Sequence, residues 1–397
     1  MNQVKDLTQL KLTDLWKEVK DEEEWWGDLN ERILGMVKTL LESSLECELL
    51  EQLQASPYQR TEVRRGYRNG YYERDLYSQY GVIKSLRIPR TREGFDSQII
   101  PHYQRNLARV NQGVRNMFLA GVSTRRVGEV TSSLWERKIS AQTVSRICLS
   151  LDREVSAYHR RLLTDNYLYL FFDGISMKVK GASQVHKKQI LVAYGITLTG
   201  QKEIIEFRQA SSESESQWEG LLRNLYERGL TGQYCRLVST DGCPGLHAAL
   251  EMVYPYIPRQ RCWAHKLRNV ANRIRRKDQI ECLAMAKKIY LAGNRREAVK
   301  VFRGWKARWW QTYPEAIQCL EKDLDELLNF LDCPPAQRVR IRTTNVIERS
   351  FREVRRRTRT ISCFTNGSSV DRIIFGVIHH LNQTWKDKPI LKFTQQS

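Results

Sequence analysis

The sequence has no Cys-x-x-Cys pair, although nine cysteines are scattered through its 397 residues. An odd, scattered count fits no disulfide framework and points to a reducing compartment. The first twenty residues, "MNQVKDLTQLKLTDLWKEVK", lack an apolar signal core. No apolar run approaches the length that spans a bilayer, and the longest, "YLYLFF", is strand-sized. The expectation is a soluble cytoplasmic protein with no membrane partner. Negative charge is also in deficit, with 45 Asp and Glu against 65 Lys and Arg, a net +20. The deficit is uneven. Residues 1–59 carry 13 acidic and 6 basic side chains, so the excess of cations falls on the rest, as at Arg273, Arg275, Arg276 and Lys277. Such a field attracts polyanions, nucleic acid first among them; a solvated basic surface is the plain alternative. The length predicts more than one domain.

Patterning divides the chain into six stretches. Residues 1–56 form an acidic helical region in which Ile33, Met36, Val37, Leu40, Leu41, Leu45 and Leu49 share one face. That face packs either on the rest of the chain or on a second subunit. Residues 57–105 read as a basic β-hairpin unit rich in Arg and Tyr, punctuated by Asn69-Gly70, Gly81, Pro89 and Gly94. Residues 106–160 have the cadence of a helix-turn-helix DNA-binding domain. Ser123 or Thr124 caps a helix to about Leu134, and Ser140 caps a second with Gln142, Thr143, Ser145 and Arg146 exposed. There Arg125 and Arg126 suit phosphate, and Gln142, Thr143 and Arg146 suit base edges. Three-helix units with no DNA role share the pattern.

Residues 161–265 are the most legible. "YLYLFFDGISMKV" predicts a buried strand ending at Asp173, "QILVAYGITLTG" and "QKEIIEFRQAS" two more, and "YCRLVSTDG" another ending at Asp241. An amphipathic helix turns Trp218, Leu221, Leu222 and Leu225 inward, and a short helix and a strand at "RQRCW" follow. Three strands, helix, strand, helix, strand is the order of a ribonuclease-H-like α/β domain, the first part of a catalytic core. Residues 266–336 read as an all-helical insertion, with Trp305, Trp309 and Trp310 mostly in its core. Residues 337–397 supply the last part of the ribonuclease-H-like core and C-terminal helices.

Asp173 and Asp241 each close an apolar strand and precede a glycine. On neighbouring strands the two carboxylates converge, and convergent anions usually hold a cation. Hard oxygen ligands suit Mg²⁺ or Mn²⁺. Alternatively each Asp caps its turn. Between Gln337 and Thr360 nine Arg stand against two Glu. One of these, Glu348, lies at the edge of an Ile347, Phe351, Val354 stripe. It either approaches the sheet or pairs with Arg352 on the surface, a contact worth about 0.2–0.5 kcal/mol.

The blocks "FFDGI", "VSTDGCPGLHAAL", "RQRCWAHKLRNV" and "RTTNVIERSFREVRRRTR" resemble those of Mutator-like bacterial insertion-sequence transposases. With "YRNGYYERDL" and "MFLAGVSTRRVGEV" upstream, the resemblance covers most of residues 65–385. It implies a DDE transposase of ribonuclease-H-like fold with its helical insertion before the final acid. Asp173, Asp241 and Glu348 match the three acidic positions, 68 and 107 residues apart. They would be both catalytic residues and ligands of two Mg²⁺ or Mn²⁺ ions per active site. Cys262 and His265 match a Cys-x-x-His element. Two ligands fall short of a structural zinc site, so this motif is read as organising the active-site strand and its exit. Arg352, Arg355 and Arg356 would meet the DNA backbone.

The implied activity is binding of terminal inverted repeats, metal-dependent strand cleavage and 3′-OH transfer into target DNA. Double-stranded DNA is the partner, held by a homodimer or larger assembly. A ribonuclease-H-like nuclease or resolvase, and a domesticated DNA-binding regulator without catalysis, are the alternatives.

Overall fold

The computed structural model describes residues 22–102, 104–135, 138–180, 185–358 and 367–390. Residues 1–21 of the expected acidic helix, and Arg359 of the Arg-rich helix, lie outside these. The chain divides into two units, residues 1–118 with 124–147 and residues 119–123 with 148–397. The stretch expected as one helix-turn-helix domain, 106–160, is thereby shared between them.

In the first unit, α1 (Glu22–Leu53) lies on the hairpin of β1 (Arg68–Ser78) and β2 (Gly81–Thr91). Leu45, Leu49 and Leu53 bury themselves among Leu76, Ile83, Leu86 and Ile88. Met36 and Leu40 of the same predicted stripe remain exposed, so only its C-terminal half is covered. The acids of α1 supply the polar part of this contact. Glu46 pairs with Arg68 at 2.8 Å, and Glu42 accepts from the Arg87 N–H at 2.9 Å. Glu48 accepts from the Gln98 and Ile99 N–H groups at 3.0 and 3.2 Å and from the Ser97 hydroxyl. Asn69-Gly70, expected as punctuation between strands, falls inside β1. Pairing slips between Arg68 and Tyr71, and Gly70 adopts φ +71°, which makes it a bulge. The turn itself is the two residues between Ser78 and Gly81.

Helices α2 (Ala108–Leu119), α3 (Thr124–Trp135) and α4 (Ala141–Leu149) follow, most of each within this unit. Val110, Val114, Val127 and Val144 are buried. Ser140 caps α4 as expected, its Oγ accepting from the Thr143 N–H at 3.1 Å.

The second unit is built on a five-stranded sheet ordered β5-β4-β3-β6-β7. Its strands are β3 (Tyr167–Lys180), β4 (Val185–Thr197), β5 (Lys202–Ala210), β6 (Leu237–Thr240) and β7 (Arg259–Arg261). The first three pair antiparallel; β6 and β7 run parallel to β3. Helix α5 (Leu151–Arg160) leads into β3. All six residues of "YLYLFF" are buried, as a strand covered on both faces requires. One face carries α6 (Glu215–Glu227), through Trp218, Leu221, Leu222 and Leu225, and α7 (Pro244–Val253), through Leu246, Ala249 and Leu250.

Contrary to the sequence expectation, β3 does not end at Asp173. Its antiparallel pairing with β4 continues to Lys180, while its parallel pairing with β6 stops at Phe172–Thr240. A strand reading sees only the apolar run ending, which marks where the parallel neighbour leaves.

After β7 come α8 (Trp263–Ala271), α9 (Arg276–Ile289), α10 (Arg295–Trp309), α11 (Pro314–Glu321) and α12 (Leu324–Leu328). A 3₁₀ turn (Asn329–Asp332) then leads to α13 (Pro335–Ile341). Trp305 and Trp309 are core residues of this helical body, whereas Trp310 is 38% exposed. Buried polar contacts fasten it to the sheet. Lys266 and Arg261 both reach Asp323, the latter at 3.1 Å, and the Trp263 indole N–H donates to Leu327 O at 2.7 Å. The chain then returns through α14 (Asn345–Thr358) and α15 (Gly367–Lys386); Val370, Ile373, Ile374, Val377 and Ile378 of α15 are buried. No helix among the described residues is long and apolar enough to cross a membrane. The eight cysteines among them are all unpaired.

Glu48 serves three donors around residues 97–99. Glu48→Ala should lower the stability of the first unit by about 1–3 kcal/mol, with Glu48→Gln recovering part of the loss. Urea denaturation of the three proteins tests this.

Candidate active site

Register brings the two aspartates together. Phe172 and Thr240 are the last parallel partners of β3 and β6, so Asp173 and Asp241 follow side by side. Asp173 is 6% exposed, and its Oδ1 accepts from the Gly174 N–H at 2.8 Å. Asp241 Oδ1 accepts from the Cys243 N–H at 2.9 Å, turning the chain into α7. Gly242 between them sits at φ +95°, where a side chain would be strained and would also crowd Arg261. Asp241 therefore does close a turn, as the simpler reading held, whereas Asp173 lies within β3; the two share one neighbourhood. Burial pushes the Asp173 carboxyl up to about 7, and the charge of Asp241 adds to the effect. His265 opposes it and Glu348 reinforces it. Asp173 thus feels the charge of both other acids.

Glu348 arrives from 107 residues beyond Asp241 because the return of the insertion is tied to the sheet. Ser239 on β6 donates to Ile341 O at 2.6 Å, and the Trp263 N–H donates to Arg342 O at 3.1 Å. The Cys262 N–H donates to Thr240 O at 2.7 Å. Helix α14 then buries Ile347, Phe351 and Val354, the predicted stripe, and leaves Glu348 half-buried at its edge. Glu348 lies 3.4 Å from His265 Nε2 and 3.7 Å from an Arg268 nitrogen, and among the described residues no ion pair joins it to Arg352.

Cys262 and His265 form a clasp with Thr344. The Thr344 N–H and hydroxyl both donate to Cys262 Sγ, at 3.3 and 3.4 Å, and the hydroxyl lies 3.5 Å from His265 Nδ1. The same Thr344 caps α14, its carbonyl accepting from the Ile347 and Glu348 N–H groups. The hydrogen bond with Cys262 raises His265 to about 9, against its burial, with the charges of Cys262, Asp173 and Asp241 adding. Burial alone would push the Cys262 thiol up, yet hydrogen bonds from His265 and Thr344 prevail and bring it below its usual value. At neutral pH His265 is thus an imidazolium among carboxylates.

Three contributors escaped the sequence reading. Glu213, in the Ser-rich loop after β5, fills the space where a Cβ at Gly174 would stand. Burial and then Asp241 raise its carboxyl, with a hydrogen bond from Cys243 opposing. In sequence it looks like any acid before a helix. Thr344 looks like an ordinary cap, and Arg268 like one more surface cation.

Of the predicted DNA contacts, Arg352, Arg355 and Arg356 are exposed on the helix that carries Glu348; Arg356 pairs with Glu353 at 3.0 Å. Arg125, Arg126, Gln142 and Arg146 are exposed in the first unit. Thr143, expected to be exposed, is half-buried, its hydroxyl 3.0 Å from that of Ser140.

The donor set fits a hard divalent cation, since Asp173 and Asp241 are neighbouring oxygen ligands, one of them buried, with His265 as the cation that acts on Asp173. Among the described residues no three His, Cys, Asp or Glu side chains meet around one point that would hold a metal ion; Glu348 is turned toward His265 and Arg268. Removing the buried charge should relieve repulsion. Asp173→Asn is expected to stabilise the chelator-treated protein at pH 8 by about 1–3 kcal/mol, read from its unfolding midpoint. An unchanged or lowered midpoint contradicts this electrostatic picture.

Comparison with known proteins agrees in extent with this architecture. Residues 8–388 match the family described as "Transposase, Mutator family". The transposase for insertion sequence element ISRM5 of Rhizobium meliloti (strain 1021) is 32% identical over 353 residues, covering 89% of this chain and 88% of that protein. The transposase for insertion sequence element IS256 in transposon Tn4001 of Staphylococcus aureus is 33% identical over 359 residues, 88% of this chain and 90% of that one. The chain belongs to the Mutator family of transposases.

Proposed function

We propose that this chain is a DDE transposase that binds the terminal inverted repeats of its element, cleaves a strand and transfers the freed 3′-OH into target DNA. The observation that carries this reading is the side-by-side placing of Asp173 and Asp241 where β3 and β6 stop pairing, with Glu348 brought back on α14, beyond the helical insertion, to 3.4 Å from His265. The strand order and directions support a ribonuclease-H-like sheet. The short link between α3 and the Ser140-capped α4, with Arg125, Arg126, Gln142 and Arg146 exposed, supports a helix-turn-helix that meets DNA.

When bound, two Mg²⁺ or Mn²⁺ ions would activate the attacking oxygen and stabilise the leaving one in an in-line displacement. Asp173, Asp241 and Glu348 would hold them. His265, as an imidazolium, offsets the carboxylate charge and anchors Glu348 until then. Arg268, Arg352, Arg355 and Arg356 offer cations to the DNA backbone beside the site. In the first step, water adds to phosphorus at the element end as the bond to the 3′-oxygen breaks, leaving a 3′-OH and a 5′-phosphate. In the second, that 3′-oxygen attacks a target phosphorus and the target's own 3′-oxygen leaves. One phosphodiester forms as one breaks, so no covalent enzyme intermediate is needed. Both ends must be held together, which calls for a dimer or larger assembly on DNA.

The test places the repeats flanking the coding sequence on a plasmid with Mg²⁺, comparing wild type with Glu348→Gln. Cleavage and joining by wild type, reduced at least about 10²-fold in the variant, is the expected result. Equal activity in both removes Glu348 from the site. Tight binding with no cleavage by either favours the regulator, and cutting without joining favours the nuclease.

A further inference from the structure

The first unit holds a groove of about 990 Å³ between the hairpin and the start of α4. Arg74 and Arg90 line one wall, Lys138 and Arg146 the other, and Glu73 is the one acidic side chain among the described residues around it. Away from the groove, Arg68 has an ion partner in Glu46 of α1 at 2.8 Å, although its Nε and Nη2 are buried with no hydrogen-bond partner among the described residues. On the groove side, Arg90 stacks over the Tyr72 ring, at 4.7 Å. Arg74 Nε and Nη2 are buried, and among the described residues they have no hydrogen-bond partner. Thr91 Oγ1, on the same groove, is buried and unpartnered too.

Buried guanidinium N–H groups without an acceptor are what a protein avoids unless a ligand supplies one. The planar fork of arginine suits phosphate in particular. Arg74 pairs across the hairpin with Leu86, five residues before Thr91, so roughly 17 Å of strand separates the two orphan positions. A single compact anion cannot meet both; a chain of phosphates can. The opposite wall is the capped start of α4, which sets Arg146 in the groove and leaves Gln142 exposed beside it.

We propose that this groove clamps the sugar-phosphate backbone of duplex DNA, with Arg74 as its half-buried anchor, Arg90 and Lys138 at its rims and Arg146 beside the bases. The inference rests on the DNA-binding reading above and adds to it that the hairpin, and not only the helical pair, grips the DNA.

The test is binding of the full-length protein to a fluorescent duplex cut from the flanking repeat, across a series of salt concentrations. Arg74→Gln should weaken binding about tenfold and lower the salt slope by about one. Arg90→Gln and Lys138→Gln should each lower the slope similarly with a smaller loss of affinity, while Lys84→Gln, outside the groove, matches wild type. If Arg74→Gln fails to fold by circular dichroism, the two rim variants decide. Wild-type affinity and slope in the folded groove variants overturn the clamp and leave the DNA reading standing. A wild-type protein that binds no duplex overturns both.

Discussion

Two carboxylates side by side at the edge of a buried sheet are the constraint around which the second unit is organised. Asp173 and Asp241 are put there by strand register, and register is fixed by the apolar faces of β3 and β6. Neither can be moved without turning those faces over. The repulsion between them is therefore a fixed cost of the fold, and the surrounding structure moderates it. The Gly174 and Cys243 N–H groups each donate to one aspartate, and His265 brings a positive charge close. Carboxylates held in such a setting cluster at functional sites, which supports the proposed role of the pair.

The proposed site also calls for a third carboxylate, Glu348, from a distant part of the chain. The helical insertion would defeat this if it were loosely attached. Its entry and exit are instead bound to the same sheet edge: Cys262 to Thr240, Trp263 to Arg342, and Ser239 to Ile341. The Cys-x-x-His element acts within that joint. Cys262 caps α8 while accepting from Thr344, which caps α14, so the two helix starts share one junction and His265 meets Glu348 across it. These contacts make Cys262 and His265 part of the joint between the two helix starts.

Much of this was legible in the sequence. The apolar runs located the strands, and the 3.6-residue stripe of Ile347, Phe351 and Val354 set the face of α14 and hence the edge on which Glu348 lies. What was not legible depends on neighbours that only folding brings together. The apolar run stopped at Asp173 and read as a strand end, because sequence does not reveal that β4 continues the pairing after β6 has left. Asn69-Gly70 carries the chemistry of a turn, and a bulge asks for the same left-handed glycine. Glu213 and Thr344 have no local signature, since their importance lies in Gly174 and Cys262, far away in sequence. The acids of α1 show no partner in the sequence, yet Glu48 closes the 97–99 loop.

The most direct test of the central constraint is Mn²⁺ binding by the full-length protein, followed as loss of the free-ion signal in electron paramagnetic resonance. The account predicts that wild type depletes free Mn²⁺ and that Asp173→Asn and Asp241→Asn each abolish the depletion at the same concentration. Equal depletion by all three proteins, or none by wild type, would show that this pair of carboxylates is not there to hold a metal ion.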